Sequence, residues 1–302
     1  MGSCNEKKRE ISVLKVALHD GVFHADDVFA CAILKIIYPD IVIIRSRDED
    51  VIAEADFRVD VGGRYDLHSG DFDHHMTHGA GERENGIPYA SCGLVWKDLG
   101  MRVARTACQW EYIDRKLIQS IDAIDCGYTV DRGYHQEVQH YSVSDMIDAY
   151  NPVWFDSETT HDEAFSRAVS QAQVILQHEL KRAEGFEKAK GLVHDAIDAA
   201  VNPHYIVLER YCPWQHIVIN ETDILYVIFP STTGDWRVRA VPRFLGSFES
   251  RKPLPASWAG KRNHELAEVT GISDATFCHP ARFIAGAHSR GGAIELVELA
   301  LQ

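Results

Sequence analysis

Apolar runs in the first half of the chain end repeatedly in histidine or aspartate, and this pattern constrains the fold more than any other feature. His19 follows the first run, Asp60 follows a later one, and Asp73, His74 and His75 stand together further along. Imidazole and carboxylate groups are costly to bury without partners. In open α/β sheets, functional groups gather beyond the carboxyl ends of the strands. These side chains are therefore expected to meet at one edge of a sheet.

Alternating strand and helix patterns predict an α/β fold for the N-terminal part of the chain. β-Branched or alternating apolar runs predict strands at 13–18, 41–44 and 57–61. Helical apolar spacing predicts helices at 26–38, 90–99 and 105–124. The polar, glycine-containing stretch 77–86 predicts a mobile loop beside the histidines, whereas 127–150 fits neither pattern.

The C-terminal part begins after a long helical pattern at 158–200, in which Gly185 is a candidate interruption. Beyond it the period changes, and strands are predicted at 205–208, 216–220, 224–229 and 236–241, followed by a last helix at 292–301. This change predicts two domains, 1–192 and 193–302, of which the second is a smaller α/β domain.

Composition limits the classes of protein to which the chain can belong. The 31 Lys and Arg against 45 Asp and Glu give a net charge of −14, which argues against nonspecific duplex binding. Seven widely spaced cysteines without a C-x-x-C pair favour a reducing compartment. No apolar stretch is long enough for a membrane span, and the polar N-terminus lacks a signal core, so neither membrane insertion nor secretion is expected.

Six of the histidines and aspartates are candidate metal ligands: His19, His24, Asp26, Asp60, His74 and Asp125. Carboxylates and imidazoles suit Mn²⁺, Mg²⁺, Zn²⁺ or Fe²⁺. Two such ions would need one bridging carboxylate and would leave a water between them for attack on phosphorus. Single members also have simpler explanations, because Asp26 could cap the following helix and Asp60 could be a turn residue.

The order of these motifs resembles the DHH phosphoesterase superfamily. The shared segments are H-x-x-x-x-H-x-D-D from His19, V-D-V-G-G around Asp60, D-H-H, and D-A-I-D ending at Asp125. Within that superfamily the chain is most similar to the melanocyte proliferating gene family. That likeness rests on G-V-F-H-A-D-D at 21–27, W-R-V-R-A-V-P at 236–242 and S-F-E-S-R-K-P-L-P at 247–255.

The resemblance implies a parallel-sheet DHH-type domain, a smaller DHHA1-like domain, and an active site in the cleft between them. One ion would be held by His19, His24 and Asp60, and the other by Asp26, Asp60, His74 and Asp125. Asp60 would bridge the two ions, and His75 would face the substrate phosphate as hydrogen-bond donor or general acid. His24 stands where most of the superfamily has aspartate, which shifts the expected preference from Mg²⁺ toward Mn²⁺ or Zn²⁺.

The second domain would supply cations to the substrate phosphates, and the candidates are Arg237, Arg239, Arg251, Lys252 and Arg290. Arg237 and Arg239 alternate on one strand and so share a face, which suits a phosphodiester or, alternatively, is a solvated strand face. Arg251 and Lys252 lie in a proline-flanked loop, which favours ligand contact over a structural role. Arg290 ends a small, glycine-containing loop before the last helix.

The function implied is a Mn²⁺-dependent 3′–5′ exonuclease acting on RNA or short single strands through a hydroxide shared by two metal ions. One alternative is a hydrolase of small phosphoesters such as cyclic dinucleotides, nucleotide monophosphates or pyrophosphate. A second is a non-catalytic RNA-binding module stabilised by its metals. The sequence leaves a homodimer open, and the compartment would be the cytoplasm in a bacterium, or the nucleus, cytosol or mitochondrion in a eukaryote.

Overall fold

The computed structural model describes residues 13–128, 140–155 and 158–302. The polar N-terminal residues 1–12 and part of the unassigned stretch 127–150 lie outside the described residues. The chain divides into two compact units, Met1–Ala183 and Glu184–Gln302. This division falls earlier in the same long helix than the boundary expected after residue 192. Each unit contains a five-stranded sheet with helices, so the predicted α/β class is confirmed.

The first unit is built on a mostly parallel sheet in the order β2-β1-β3-β5-β4. Its strands are β1 (Lys15–Leu18), β2 (Val42–Arg45), β3 (Phe57–Val59), β4 (Tyr65–Asp66) and β5 (Asp71–Phe72). The parallel pairs are β2 with β1, β1 with β3 and β3 with β5, whereas β4 runs antiparallel to β5 at the edge. The carboxyl ends of β1, β3 and β5 therefore lie side by side.

The helices of this unit are α1 (Ala25–Ile37), α2 (Glu49–Ala53), α3 (Ser91–Leu99), α4 (Met101–Ala104), α5 (Ala107–Ile113), α6 (Gln119–Asp125), α7 (Val143–Asp148) and the first part of the long α8 (His161–Asp198), which continues into the second unit. α1 is the central helix, because its residues from Ala25 to Leu34 are all buried. A helix that is apolar on every side is stable only inside a core. This position carries the N-terminus of α1, with its acidic residues, to the interior of the unit.

Two tryptophans hold α3 against α5 in this core. The rings of Trp96 and Trp110 stack with centroids 6.5 Å apart. The indole N–H of each residue donates to the carbonyl oxygen of the other, at 3.3 Å and 3.0 Å. Buried indole N–H groups need such acceptors. The pair fixes the helical layer that carries Asp125 at the end of α6.

The helix predicted at 105–124 is divided in the structure. α5 begins after Thr106, a five-residue π-helical turn spans Asp114–Ile118, and α6 follows it. Such turns are uncommon and often serve a local contact. Here Asp114 is buried and binds the guanidinium of Arg83, at 2.9 Å between Oδ1 and Nη2. Gly185 does not interrupt α8, and a side chain added there would meet no neighbouring atom.

The second unit has a mixed sheet in the order β6-β7-β8-β10-β9. Its elements are β6 (Tyr205–Val207), α9 (Gln215–Glu221), β7 (Tyr226–Pro230), β8 (Trp236–Ala240), α10 (Asn263–Thr270), β9 (Ala275–Cys278), β10 (Ile284–Ala287) and α11 (Arg290–Leu301). The strand predicted at 216–220 is wrong, because these residues form α9. Its run of Ile217, Val218 and Ile219 is buried, and a short buried apolar run has the same pattern in a strand and in a helix.

Every helix in the described ranges is too short or too polar to cross a lipid bilayer.

Candidate metal centre

Three neighbouring strands of the first sheet deliver polar side chains to one edge. His19 follows β1, Asp60 follows β3, and Asp73 follows β5. His19, Asp60 and Asp73 are buried, although each is polar. Since parallel strands present their carboxyl ends to the same edge, the sheet alone brings these groups together.

The N-terminus of α1 adds two carboxylates and an imidazole to this edge. His24 is the residue before the helix, and its backbone N–H donates to Oδ1 of Asp27 at 3.0 Å. Asp26 accepts hydrogen bonds from the backbone N–H groups of Cys92 at 2.6 Å and Ser91 at 3.2 Å. Those amides begin α3, where unpaired N–H groups favour a negative charge. Asp26 is thus fixed in place by a second helix.

Asp60 lies at the centre of the cluster, and its two oxygens face different histidines. Oδ2 lies 3.3 Å from Nε2 of His19, whereas Oδ1 lies 3.3 Å from Nε2 of His74 and 3.2 Å from Nδ1 of His75. The backbone of Asp60 has a φ of 56°, a left-handed conformation that aspartate adopts more readily than most residues. A carboxylate facing two sets of ligands in this way has the geometry of a bridge between two cations.

Three groups of side chains place a ligand atom from each member within 4.8 Å of the others. The groups are His19 with His24 and Asp60, Asp60 with His74 and His75, and Asp26 with His74 and Asp125. All six residues that the sequence singled out as metal ligands occur in them. His75, which the resemblance places at the substrate phosphate, also lies within reach of a metal held by Asp60 and His74.

The electrostatics of the cluster favour a protonated His19, a protonated His74 and an ionised Asp60. Interaction with the Asp27 carboxylate, and then with that of Asp60, raises the pKa of His19 to about 10. Burial lowers the pKa of His74, but contact with Asp125 and Asp60 outweighs it and raises the pKa well above its usual value. Burial raises the pKa of Asp60, but the histidine contacts outweigh it and lower that pKa. Burial raises the pKa of Asp26 and of Asp27.

The residues could hold a metal ion, for two reasons. Four carboxylates, those of Asp26, Asp27, Asp60 and Asp73, are buried within one edge of the sheet, and buried carboxylates need cations or several hydrogen bonds. In addition, Nε2 of His74 and Oδ2 of Asp27 are buried without a hydrogen-bond partner among the described residues. Nε2 of His74 nevertheless lies 3.2 Å from Oδ2 of Asp125. This spacing would let both atoms reach one ion.

A wide cavity of about 1370 Å³ opens over the cluster. Its lining includes His19, His24, Asp60, His75 and Asp125 from the cluster itself. The His75 side chain is 63% exposed, whereas those of His19 and His74 are 10% exposed. His75 is therefore more accessible to a molecule in the cavity than His19 or His74.

The loop between His19 and His24 is held from two sides. The Arg45 guanidinium lies between the rings of Phe23 and Phe165, 5.5 Å and 4.7 Å from their centroids, and donates to the carbonyl of Gly21 at 2.6 Å. Asn151 accepts from the Phe23 N–H at 3.1 Å and donates to its carbonyl at 2.9 Å. These contacts set where His24 stands relative to His19.

Two aspartates of the cluster were not assigned a role from the sequence. Asp27 caps α1 with Oδ1, but its Oδ2 lies 3.2 Å from Nε2 of His19. Asp73 binds Nδ1 of His75 at 2.9 Å and accepts from the Gly63 N–H at 2.6 Å. The signal for Asp27 was the doubled aspartate after His24, which helix capping explains equally well. Asp73 opens the D-H-H motif, and its partner His75 is two residues away.

The cations proposed from the second unit have different surroundings. Arg251 donates to the carbonyls of Ile224 at 2.9 Å and Ile219 at 2.7 Å, and Lys252 donates to that of Leu301 at 2.8 Å. The carbonyls of Ile219 and Leu301 belong to the last turns of α9 and α11, which lack partners within their own helices. Arg251 and Lys252 therefore stabilise the fold, contrary to the interpretation of their loop as a ligand contact.

The three remaining arginines lie along or beside the second sheet. Arg237 and Arg239 alternate with buried Val238 on β8, and their guanidinium groups lie 5.1 Å and 4.9 Å from the ring centroids of Phe277 and Phe283. Arg290 begins α11 and pairs with Glu209 at 3.2 Å. Substrate contact by Arg237, Arg239 and Arg290 stays a prediction.

Comparison with known proteins finds relatives that match most of the chain. A model of the uncharacterised protein family UPF0160, named for the MYG1 exonuclease, matches residues 15–301. The MYG1 protein of Dictyostelium discoideum is 32% identical, over 94% of this chain and 95% of its own length. The MYG1 exonucleases of Homo sapiens and Mus musculus are 28% and 30% identical, each over 95% of this chain and over 85% and 84% of their own lengths.

No solved structure matches the chain significantly. The family model and the Dictyostelium relative each cover nearly all of it. On this basis the chain belongs to the MYG1 exonuclease family, UPF0160.

Proposed function

We propose that this chain is a metal-dependent phosphodiesterase of the DHH type, acting as a 3′–5′ exonuclease on RNA or short single strands. The observation that carries the proposal is the carboxylate of Asp60, whose two oxygens lie 3.2–3.3 Å from ligand atoms of two different histidine groups. The relatives from Homo sapiens and Mus musculus are named exonucleases, which supports the same reaction.

The residues have separate tasks in this proposal. His19, His24 and Asp60 hold one ion, and Asp26, Asp60, His74 and Asp125 hold the other, most favourably Mn²⁺. When bound, the ions supply an attacking water and neutralise charge on the phosphoryl oxygens. Asp73 orients His75 through Nδ1, and when both ring nitrogens carry a proton, Nε2–H would donate a hydrogen bond to a phosphate oxygen or a proton to the leaving oxygen. Arg237 and Arg239 bind neighbouring phosphates.

The size of the cavity favours a strand over a small phosphoester. Pockets for small ligands usually measure about 300–1000 Å³ and enclose most of the ligand. The cavity over the cluster measures about 1370 Å³, and exposed side chains such as His75 line it. A cyclic dinucleotide or pyrophosphate would fill only part of it.

The test is cleavage of a 5′-labelled oligoribonucleotide by the purified protein with Mn²⁺. We expect a ladder of labelled products that shortens one nucleotide at a time, because a 3′–5′ exonuclease leaves the 5′ label on every intermediate. Release of the labelled nucleotide in the first step would reverse the polarity. Hydrolysis of cyclic dinucleotides, nucleotide monophosphates or pyrophosphate without cleavage of the oligoribonucleotide would favour the small-substrate alternative.

His74→Ala should abolish the ladder, because His74 belongs to two of the three ligand groups. The expected loss of kcat is at least about 100-fold, the scale seen when one preorganised electrostatic group is removed. His264→Ala is the matched control, since this histidine is 85% exposed and pairs with Glu268 on its own helix. Equal cleavage by the His74 and His264 variants would contradict the assignment.

Metal binding at neutral pH should release protons. His19, with a pKa of about 10, and His74, with a raised pKa, carry an extra proton at pH 7 before metal binds. A ligating imidazole must be neutral, so each histidine gives up a proton and the metal affinity rises with pH, about tenfold per unit for each proton released. Calorimetry in buffers of different ionisation enthalpy measures the number of protons released when Mn²⁺ binds. A Mn²⁺ affinity that stays constant from pH 6.5 to about 8.5 would contradict the prediction.

A further inference from the structure

We propose that Arg47 and Arg64 form a subsite in the first unit for the phosphate backbone of a single-stranded nucleic acid. This inference rests on the proposed function and specifies its substrate as a chain of phosphates. Both residues line the cavity over the metal cluster. Neither was assigned to substrate binding from the sequence.

The two arginines stand on opposite sides of His19 along the sheet edge. Arg47 follows β2 and Arg64 directly precedes β4, and the strand order β2-β1-β3-β5-β4 places β1 between these two strands. Neighbouring strands lie about 4.8 Å apart, so β2 and β4, four positions apart, are separated by about 19 Å. One phosphate cannot span that distance, whereas consecutive phosphates of a strand that crosses the metal cluster can.

Both side chains are available to a ligand. The Arg47 side chain is 72% exposed, and its Nε donates to Oδ1 of Asp20 at 2.9 Å. The Arg64 side chain is 62% exposed, and its Nε donates to Oδ2 of Asp71 at 2.6 Å. Each carboxylate occupies one side of its guanidinium, and the flat group can present its other N–H donors to a phosphate. The Arg47–Asp20 pair is exposed on both sides and is therefore weak, whereas Arg64 pairs with the buried Asp71, which Arg58 also neutralises.

Arg58 shows what a purely structural arginine looks like in the same cavity. Its side chain is 14% exposed, and it is held by Asp71 and by the carbonyl oxygens of Ala55 and Ser69. Its Nε, Nη1 and Nη2 therefore all donate to partners within the fold. Arg47 and Arg64 differ from it in exposure and in the number of partners.

The charge of the cavity explains why such a subsite is needed. Its lining contains five carboxylates, those of Asp20, Glu49, Asp60, Asp73 and Asp125. Apart from histidines, the cationic side chains that line it among the described residues are Arg47, Arg58 and Arg64. An acidic cavity repels a polyanion except where metal ions or arginines neutralise it. Arginine also suits phosphate because its planar fork matches the spacing of two phosphate oxygens.

The test measures binding of a 5′-fluorescein hexanucleotide whose phosphorothioate linkages resist cleavage and keep one charge each. Arg47→Gln and Arg64→Gln should each raise Kd about tenfold by fluorescence anisotropy with Mn²⁺, as expected for one lost charge-assisted contact. Each should also make the dependence of log Kd on log salt shallower by about 0.7, the value for one phosphate contact on a single strand. Arg47→Lys and Arg64→Lys should restore the salt dependence, because lysine keeps the charge.

Arg115→Gln is the matched control, since Arg115 is 70% exposed and pairs with one carboxylate, that of Glu111. Its Kd and salt dependence should equal those of the wild type. Unchanged binding by the Arg47 and Arg64 variants would overturn the inference and leave these arginines as partners of Asp20 and Asp71. The ladder assay on the phosphodiester oligonucleotide separates the two proposals, because wild-type protein that binds but does not cleave contradicts the nuclease and not the subsite.

Discussion

Asp60→Asn is expected to lower kcat for oligoribonucleotide cleavage by about 10³-fold and to reduce the bound metal from two ions per chain to one or none. Asparagine keeps the size of the side chain and tolerates the left-handed φ of 56° at this position, so the backbone should not change. It removes the charge of the only carboxylate, among the ligand groups of the described residues, that contacts both His19 and His74. The loss should exceed that expected for His74→Ala, because both ions of the proposed site would depend on Asp60.

The measurement is single-turnover cleavage together with elemental analysis of the purified variant. Asp40→Asn serves as the control, since Asp40 is an exposed carboxylate in the turn before β2 and lies outside the ligand groups. It should retain wild-type cleavage and metal content. Cleavage by Asp60→Asn within tenfold of wild type, with two ions still bound, would end the case for a bridging carboxylate.

The sequence could predict those features of the candidate metal centre that depend on patterns of neighbouring residues. Apolar runs ending at His19 and Asp60 predicted strands that β1 and β3 confirm, with both residues brought to one edge of the sheet. The acidic first turn after His24 likewise predicted the start of α1. Parallel strands then bring these ends together, so order along the sequence becomes proximity in space.

The remainder depends on contacts that local patterns do not contain. β5 is only Asp71–Phe72, too short to leave an alternating pattern, yet its pairing with β3 sets the position of Asp73. The second role of Asp27 depends on where His19 lies, which is decided by the path of a different element. Arg251 was interpreted as a ligand contact from its loop, but the carbonyls that it binds come from residues far away in the sequence.

Arg83 shows the same limit, because nothing in its polar loop indicates that it is buried. Its side chain is 6% exposed, and its Nη2 lies 2.9 Å from Oδ1 of Asp114 and 2.7 Å from Oδ2 of Asp122. Asp122 also accepts the Gly93 N–H at 2.9 Å. Arg83 thereby joins the loop after the D-H-H motif to the π-helical turn and to α6, the helix that ends in Asp125.

Arg83→Met should lower the free energy of unfolding of the first unit by about 3–5 kcal/mol, the usual cost of removing one partner from a buried ion pair. Methionine fills much of the volume but leaves two buried carboxylates without their cation. The measurement is denaturant unfolding followed by tryptophan fluorescence. Arg115→Met, at an exposed position of the π-helical turn, is the control and should change stability by less than about 0.5 kcal/mol.

The loss of folding stability in Arg83→Met should also depend on pH. Burial raises the pKa of Asp122 to about 7, although Arg83 lowers it, and loss of Arg83 would raise it further. A carboxyl whose pKa is higher in the folded state than in the unfolded one binds its proton on folding. The stability it contributes is therefore full below about pH 4 and is lost as pH rises through 7. Arg83→Met should accordingly cost less at pH 5 than at pH 8, and adding Asp122→Asn should recover part of the loss at pH 8. An equal deficit at both pH values would mean that the uncompensated charge of Asp122 is not what destabilises the variant.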